Sequence, residues 1–358
     1  MLKFLWVLPF LLCLSKNIIS ENFQSIDSLS IQTPNEKMRS LDGLVAYCES
    51  QTQTDLGRVR FYFVWIATHI QYDENSMNDN QDALSVFNTK KALCSGYTRL
   101  LMRLCEQSGI SVRYVAGYGK DIFDSTNIQN HAWNIIYIDG DWHAFDVTWA
   151  ANDLDDNKQV PFSPAFEEWF MPQKAAFQKT HLPFDPAYQL TNQLITREAF
   201  FNTQLEMPQN TEGGDLLQFN FKKILNADST LDSLERTWLS FRRAYHFMPM
   251  DSAVAIKLAK TQAAKVKPVF DLVKAFNKNE YRIITQLPVE KRRDWGLKLQ
   301  NLEVPLQESL KLYAELETFP LSDDNKKSVK NNLVYYQKLV SFAKVVAKEL
   351  RNEIALRE

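Results

Sequence analysis

The stretch HAWNIIYIDGDWHAFDVTWA, residues 131–150, constrains the fold more than any other part of the chain. Alternating, β-branched runs flank Asp139-Gly140, and such a dipeptide between such runs marks a two-residue hairpin turn. A two-residue turn fixes register: Ile138 faces Asp141, Trp133 faces Asp146 and His131 faces Thr148. Because side chains alternate between faces, His131 and Asp146 fall on one face as diagonal neighbours, roughly 7 Å apart at Cβ. An imidazole and a carboxylate close that span with a hydrogen bond. His143 and Asp141 fall on the opposite face, so the period of two selects one histidine and one aspartate from the pairs available.

Upstream, ISVRYVAGYG alternates as a strand would, and KKALCSGYTRLLMRLCEQSGI (90–110) carries Tyr97, Leu100, Leu101 and Leu104 at helical spacing. Cys94 therefore sits in the first turn of a helix, where the helix dipole and free N–H groups favour a thiolate. Its own N–H is placed to receive an oxyanion, and Ser95 and Gly96 are read as keeping the approach uncrowded. Taken singly, a cysteine at a helix start, a strand histidine and an aspartate near a turn are more often structural than chemical. Together, in the order Cys94, His131, Asp146, they supply a nucleophile, a base and an orienter. Zinc would accept the same three residues, yet no close ligand pair such as CxxC or HExxH nucleates such a site. The expectation is no metal and no cofactor.

The rest of the chain sets the context. Its 358 residues leave room for two domains, and a net charge of -2 with 23% charged residues gives no electrostatic footprint for nucleic acid. The opening MLKFLWVLPFLLCLSKNIIS, with Lys3 before an apolar run from Phe4 to Leu14, reads as a signal peptide over residues 1–20. Lipoprotein anchoring through Cys13 is the lesser alternative, since bulky Leu12 precedes it. No later segment is long and apolar enough to span a membrane, so a secreted or periplasmic protein is expected. Removal of Cys13 leaves Cys48, Cys94 and Cys105, an odd number. Cys94 and Cys105 lie about 16 Å apart along one helix, beyond disulfide reach. Cys105 is read as core or as a partner for Cys48.

LDGLVAYCES and TDLGRVRFYFVWIATHIQYDE read as helices backing the core. Residues from about Asn152 to Phe201 have no clean period and are read as irregular structure wrapped on it. From Phe219 the texture becomes helical, with Leu231, Leu234, Trp238, Phe241 and Tyr245 on one face and breaks expected at Pro268 and Pro320. The expected organisation is a core over residues 21–205 and a helical region over 215–358.

At KALCSGYTRLLMRLCEQSGI and HAWNIIYIDGDWHAFDVTWA the chain resembles the transglutaminase-like superfamily, from Leu56 to Ala150. The segment FMPQKAAFQKTHLPFDPAYQL is similar to the one that follows the core in kyphoscoliosis peptidase-like members, which carries the likeness to about Gln189. The resemblance implies an α+β, papain-like fold with the cysteine helix packed on an antiparallel sheet, followed here by an all-α region. It also implies the roles of nucleophile for Cys94, base for His131 and orienter for Asp146. Trp65, Tyr97 and Trp133 are the aromatics expected at a substrate cleft, and the helix bearing Trp65 is expected to help complete the oxyanion site. The C-terminal helices do not resemble the β-domains of animal transglutaminases, and no DxDxDG calcium loop is present. The expected activity is a thiol enzyme acting on protein or peptide amides, by hydrolysis or acyl transfer. The alternative is a non-enzymatic scaffold that binds a protein partner through its C-terminal helices.

Overall fold

The computed structural model describes residues 23–121, 124, 126–154, 162–202, 220–249, 251–275, 288, 290, 306–319, 321 and 323–355. The chain divides after Lys222 into two compact units. The signal-like residues 1–20 and Pro320 lie outside the described residues.

In the first unit, helix α1 covers residues 23–31, and α2 (Leu41–Gln51) and α3 (Asp55–His69) start on side-chain caps from Ser40 and Thr54. Every residue of α3 from Val59 to Thr68 is buried, as its aromatic run demands of a helix apolar on all sides. Arg60 is the exception in chemistry, not in burial. Its guanidinium lies at 2.7 Å from Asp27 and at 2.5 Å from Glu167, enclosed by the rings of Phe23, Phe166 and Phe170.

Two short parallel strands, β1 (Gln71–Tyr72) and β2 (Lys91–Ala92), bracket α4 (Ala83–Thr89) and lead into α5 (Cys94–Gln107). Tyr97, Leu100, Leu101 and Leu104 are all fully buried, as their spacing requires. Gly96 is buried too. A Cβ there would stand 2.5 Å from Gln81 Oε1 and 2.8 Å from both Ala92 and Val86. Its role is therefore close packing of α5 against the preceding segment, not an uncrowded approach to the thiol.

Strands β3 (Val112–Lys120), β4 (Ile128–Ile138), β5 (Asp141–Phe145) and β6 (His181–Pro183) form an antiparallel sheet in the order β5-β4-β3-β6. Helix α5 packs on this sheet, with Asn134 Nδ2 donating to the Thr98 carbonyl at 3.1 Å. The architecture is α+β, with a cysteine-bearing helix on an antiparallel sheet. The hairpin has the register its turn requires: Ile138 pairs with Asp141 and Asn134 with Phe145, across Asp139 and Gly140 at φ of 50° and 87°.

The structure departs from the sequence reading at the end of that hairpin. Residues after Phe145 do not continue the strand, because the Asp146 carboxylate accepts from the backbone N–H groups of Thr148 and Trp149 and starts helix α6 (Val147–Asn152). The segment read as irregular holds α7 (Pro164–Glu167), α8 (Lys174–Phe177), α9 (Arg197–Phe201) and strand β6.

The second unit is helical among the described residues. It includes Ser233–Phe247, Ser252–Ala275, a helix over residues 306–316 and Asp323–Ala355. Trp238, Leu258, Val266, Leu316 and Tyr336 form its core, with Phe241 and Tyr245 packed against it. Leu234 is exposed, and Leu231 precedes the helix. The helix Ser252–Ala275 runs through Pro268, where a break was expected.

Candidate active site

Cys94 is the first residue of α5 and the only half-buried one of the three free cysteines among the described residues. Cys48 and Cys105 are buried; burial pushes the Cys48 thiol up to about 11 and Cys105 higher still. Helices α2, α3 and α4 each carry a side-chain cap, whereas Leu93, in the same position before α5, offers none. The Leu93 N–H donates to Gln81 Oε1 at 2.9 Å. The Gly96 and Tyr97 N–H groups donate to the Leu93 carbonyl. Among the described residues no side chain caps the start of α5, where the Cys94 N–H lies at the positive end of the helix dipole.

His131, in β4, faces Cys94 within hydrogen-bonding reach and places Nε2 at 2.7 Å from Asp146 Oδ2. With Nε2 committed to the carboxylate, Nδ1 is the nitrogen that can serve the thiol. Burial opposes the charged imidazole, but the charge and hydrogen bond of Asp146, together with Cys94, hold His131 up to about 10. Asp146 is likewise penalised by burial, yet His131 and His181 hold its carboxyl well below the usual range. The half-buried Trp149 stacks on His131 with ring centroids 5.0 Å apart. Burial raises the hydroxyls of Tyr72 and Tyr114, and the charge of Cys94 adds to the effect in both.

The other histidine and aspartate of the hairpin lie elsewhere. His143 pairs across from Ile136, and Asp141 is held by Lys174 at 2.8 Å and Lys222 at 3.2 Å. Of the aromatics singled out in the sequence, Trp65 is buried between His69 and Phe87 with Nε1 directed at Met38 Sδ. Tyr97 is buried and donates to the Ile70 carbonyl, and Trp133 is 1% exposed. The half-buried ring beside the histidine is Trp149, which follows the hairpin in the sequence but sits on α6.

His181 is the buried group that the sequence did not single out. Its Nε2 lies 3.0 Å from the same oxygen of Asp146. His131, Asp146 and His181 present ligand-type atoms within 4.8 Å of one another. Zinc would need a lone pair from each Nε2. Here both nitrogens approach one carboxylate oxygen at N–H···O distances, an arrangement of donors around an acceptor.

Residues 42–147 match the family model of the transglutaminase-like superfamily. Over 183 residues the chain is 31% identical to kyphoscoliosis peptidase of Homo sapiens, a match covering 48% of this chain and 28% of that protein. The Mus musculus protein of the same name is 31% identical over 178 residues, covering 47% of this chain and 26% of that one. Hillarin of Drosophila melanogaster is 23% identical over 201 residues, covering 50% and 24%. The chain thus covers less than a third of the length of each of these relatives.

Proposed function

We propose that this chain, whose core belongs to the transglutaminase-like superfamily, is an exported thiol enzyme acting on protein or peptide amides through Cys94, His131 and Asp146. One observation carries the reading: a buried 2.7 Å imidazole–carboxylate pair stands behind a half-buried thiol at an uncapped helix start. The name peptidase borne by two relatives supports it. The apolar run from Phe4 to Leu14 supports export.

In the reaction, the Cys94 thiolate attacks the amide carbonyl. A C–S bond forms as the carbonyl π pair moves to oxygen, where the Cys94 N–H stabilises it. The oxyanion then collapses, the C–N bond breaks, and the imidazolium of His131 gives its proton to the leaving amine. Water or a second amine, deprotonated by the same imidazole, attacks the thioester and releases the thiolate. Asp146 holds His131 in the useful tautomer throughout.

Alkylation by iodoacetamide, with Cys94→Ala as the blank, tests the reading. The expected rate at Cys94 is already near its plateau at pH 7. A rate that climbs only as an unactivated thiol does, with a midpoint near about 8.5, would overturn it.

A further inference from the structure

Asp146 accepts four hydrogen bonds. Oδ1 takes the N–H groups of Thr148 at 3.0 Å and Trp149 at 3.1 Å, and Oδ2 takes His131 Nε2 at 2.7 Å and His181 Nε2 at 3.0 Å. Four acceptor sites are what a carboxylate offers, so the group is saturated and its plane is fixed.

The strand that delivers His181 has three residues and pairs with β3, Gly117 opposite Pro183 and Gly119 opposite His181. Gly117 of β3 makes this approach feasible, and Gly119 leaves room for the rings of Trp149 and His131. A Cβ on Gly117 would meet the Leu182 carbonyl and stand 2.7 Å from Pro183 Cα, and one on Gly119 would stand 2.9 Å from Trp149 and 3.2 Å from His131 Cβ.

The ring of His181 lies flat on Phe177 at 3.8 Å, with Trp133 and Trp149 at 4.9 and 4.4 Å. Thr180 Oγ1 is 2.8 Å from Nδ1. A carboxylate only accepts, so a neutral His181 bonded to it carries its proton on Nε2, and the single Thr180 hydroxyl proton is shared between Nδ1 and the Phe177 carbonyl at 3.1 Å. Two imidazoles share one carboxylate oxygen in a buried site, and two charged rings there would repel each other. The ring that faces Cys94 is the one with a use for the charge.

We propose that His181 is a positioning residue: its Nε2–H locks the Asp146 carboxylate in the orientation that serves His131. The proposal rests on the reading of Cys94, His131 and Asp146 as a triad. Removing the donor frees the carboxylate to turn, weakens its hold on the His131 imidazolium, and through it weakens the support for the Cys94 thiolate.

The test uses the full chain and iodoacetamide, with alkylation of Cys94 followed against pH. His181→Phe keeps a ring on Phe177 and loses the donor; His181→Gln returns an N–H near the Nε2 position. The expected result for His181→Phe is an alkylation midpoint raised by at least about one pH unit, with a cooperative melt retained and most of the shift reversed in His181→Gln. A merely structural role would leave the midpoint in place. A folded His181→Phe with the wild-type midpoint overturns the inference and leaves the triad standing, whereas a wild-type midpoint near about 8.5 removes the triad itself. Should His181→Phe fail to fold, the ¹⁵N shifts of His181 in the unaltered protein decide. A neutral ring protonated at Nε2 at pH 7 supports the lock, and an Nδ1–H tautomer or an imidazolium overturns it.

Discussion

Asp146 shows how one residue serves local structure and chemistry at once. Its Oδ1 starts α6 while its Oδ2 holds two imidazoles. Asp146→Asn would turn an NH2 group toward either the backbone donors or the ring N–H groups. Asp146→Asn and His131→Ala should each slow Cys94 alkylation at pH 7 by at least roughly tenfold, because alkylation follows the thiolate fraction, while His143→Ala and Asp141→Asn leave the rate within about twofold. Equal damage from His143→Ala in a folded protein would show that the assigned base is the wrong histidine. The two buried imidazoles also make opposite contributions to stability. Burial drives His181 down to about 4, despite the opposing pull of Asp146. The unfolded chain therefore binds the extra proton first, and the stability that neutral His181 provides is present above about pH 6.5 and lost as pH falls toward 4. His131 is held up to about 10, so its contribution is present below about pH 6.5 and lost as pH rises through 10. Melting temperatures of the protein and of His181→Gln, read from pH 7 to 4, should converge as the pH falls. Parallel curves would show that His181 does not titrate in that window.

At the scale of elements, legibility followed length and period. The α5 stripe of Tyr97, Leu100, Leu101 and Leu104 spans two turns, and the Asp139-Gly140 turn sets its register through local backbone geometry. Both could be read from neighbouring residues. Strand β6 could not: three residues show no alternation, and its pairing partner β3 lies more than sixty positions earlier. His181 thus looked like one more histidine in an aperiodic stretch. Helix α6 was missed for a different reason. The alternation of Asp146-Val147-Thr148-Trp149 suits a strand, but the Asp146 side chain can satisfy two N–H groups at once and ends the strand there. Trp65, Tyr97 and Trp133, the aromatics expected at a cleft, are buried because a large apolar ring is also what fills a core. Gly96 gives a measurable consequence of this packing. In Gly96→Ala the new methyl meets Gln81, Ala92 and Val86 at 2.5 to 2.8 Å, so a loss of about 1–3 kcal/mol in urea unfolding is expected. An unchanged midpoint would mean that the segment before α5 shifts at no cost.

On the scale of the molecule, the site residues Cys94, His131, Asp146 and His181 all lie in the first unit, and that unit has its own stabilising centre. Arg60 of α3, nearly inaccessible to solvent, ties α1 through Asp27 and α7 through Glu167. Arg60→Met would leave Asp27 buried beside no cation, at a cost of about 3–5 kcal/mol. Urea unfolding of that variant measures whether this ion cluster or the apolar packing around it dominates. The second unit has a separate apolar core around Trp238, Leu316 and Tyr336. Contacts internal to each unit are sufficient to define both, so a fragment ending at Lys222 should fold without the helices that follow. It retains Phe221 and Lys222, whose side chains meet Lys174 and Asp141 of the first unit. The expected melt is a single cooperative transition, and the Cys94 alkylation profile should superpose on that of the full chain. A broad, non-cooperative melt would show that the helices complete the first core. A cooperative melt with a displaced alkylation profile would carry a different meaning, because the fold would then be independent while the reactivity of the thiol was not.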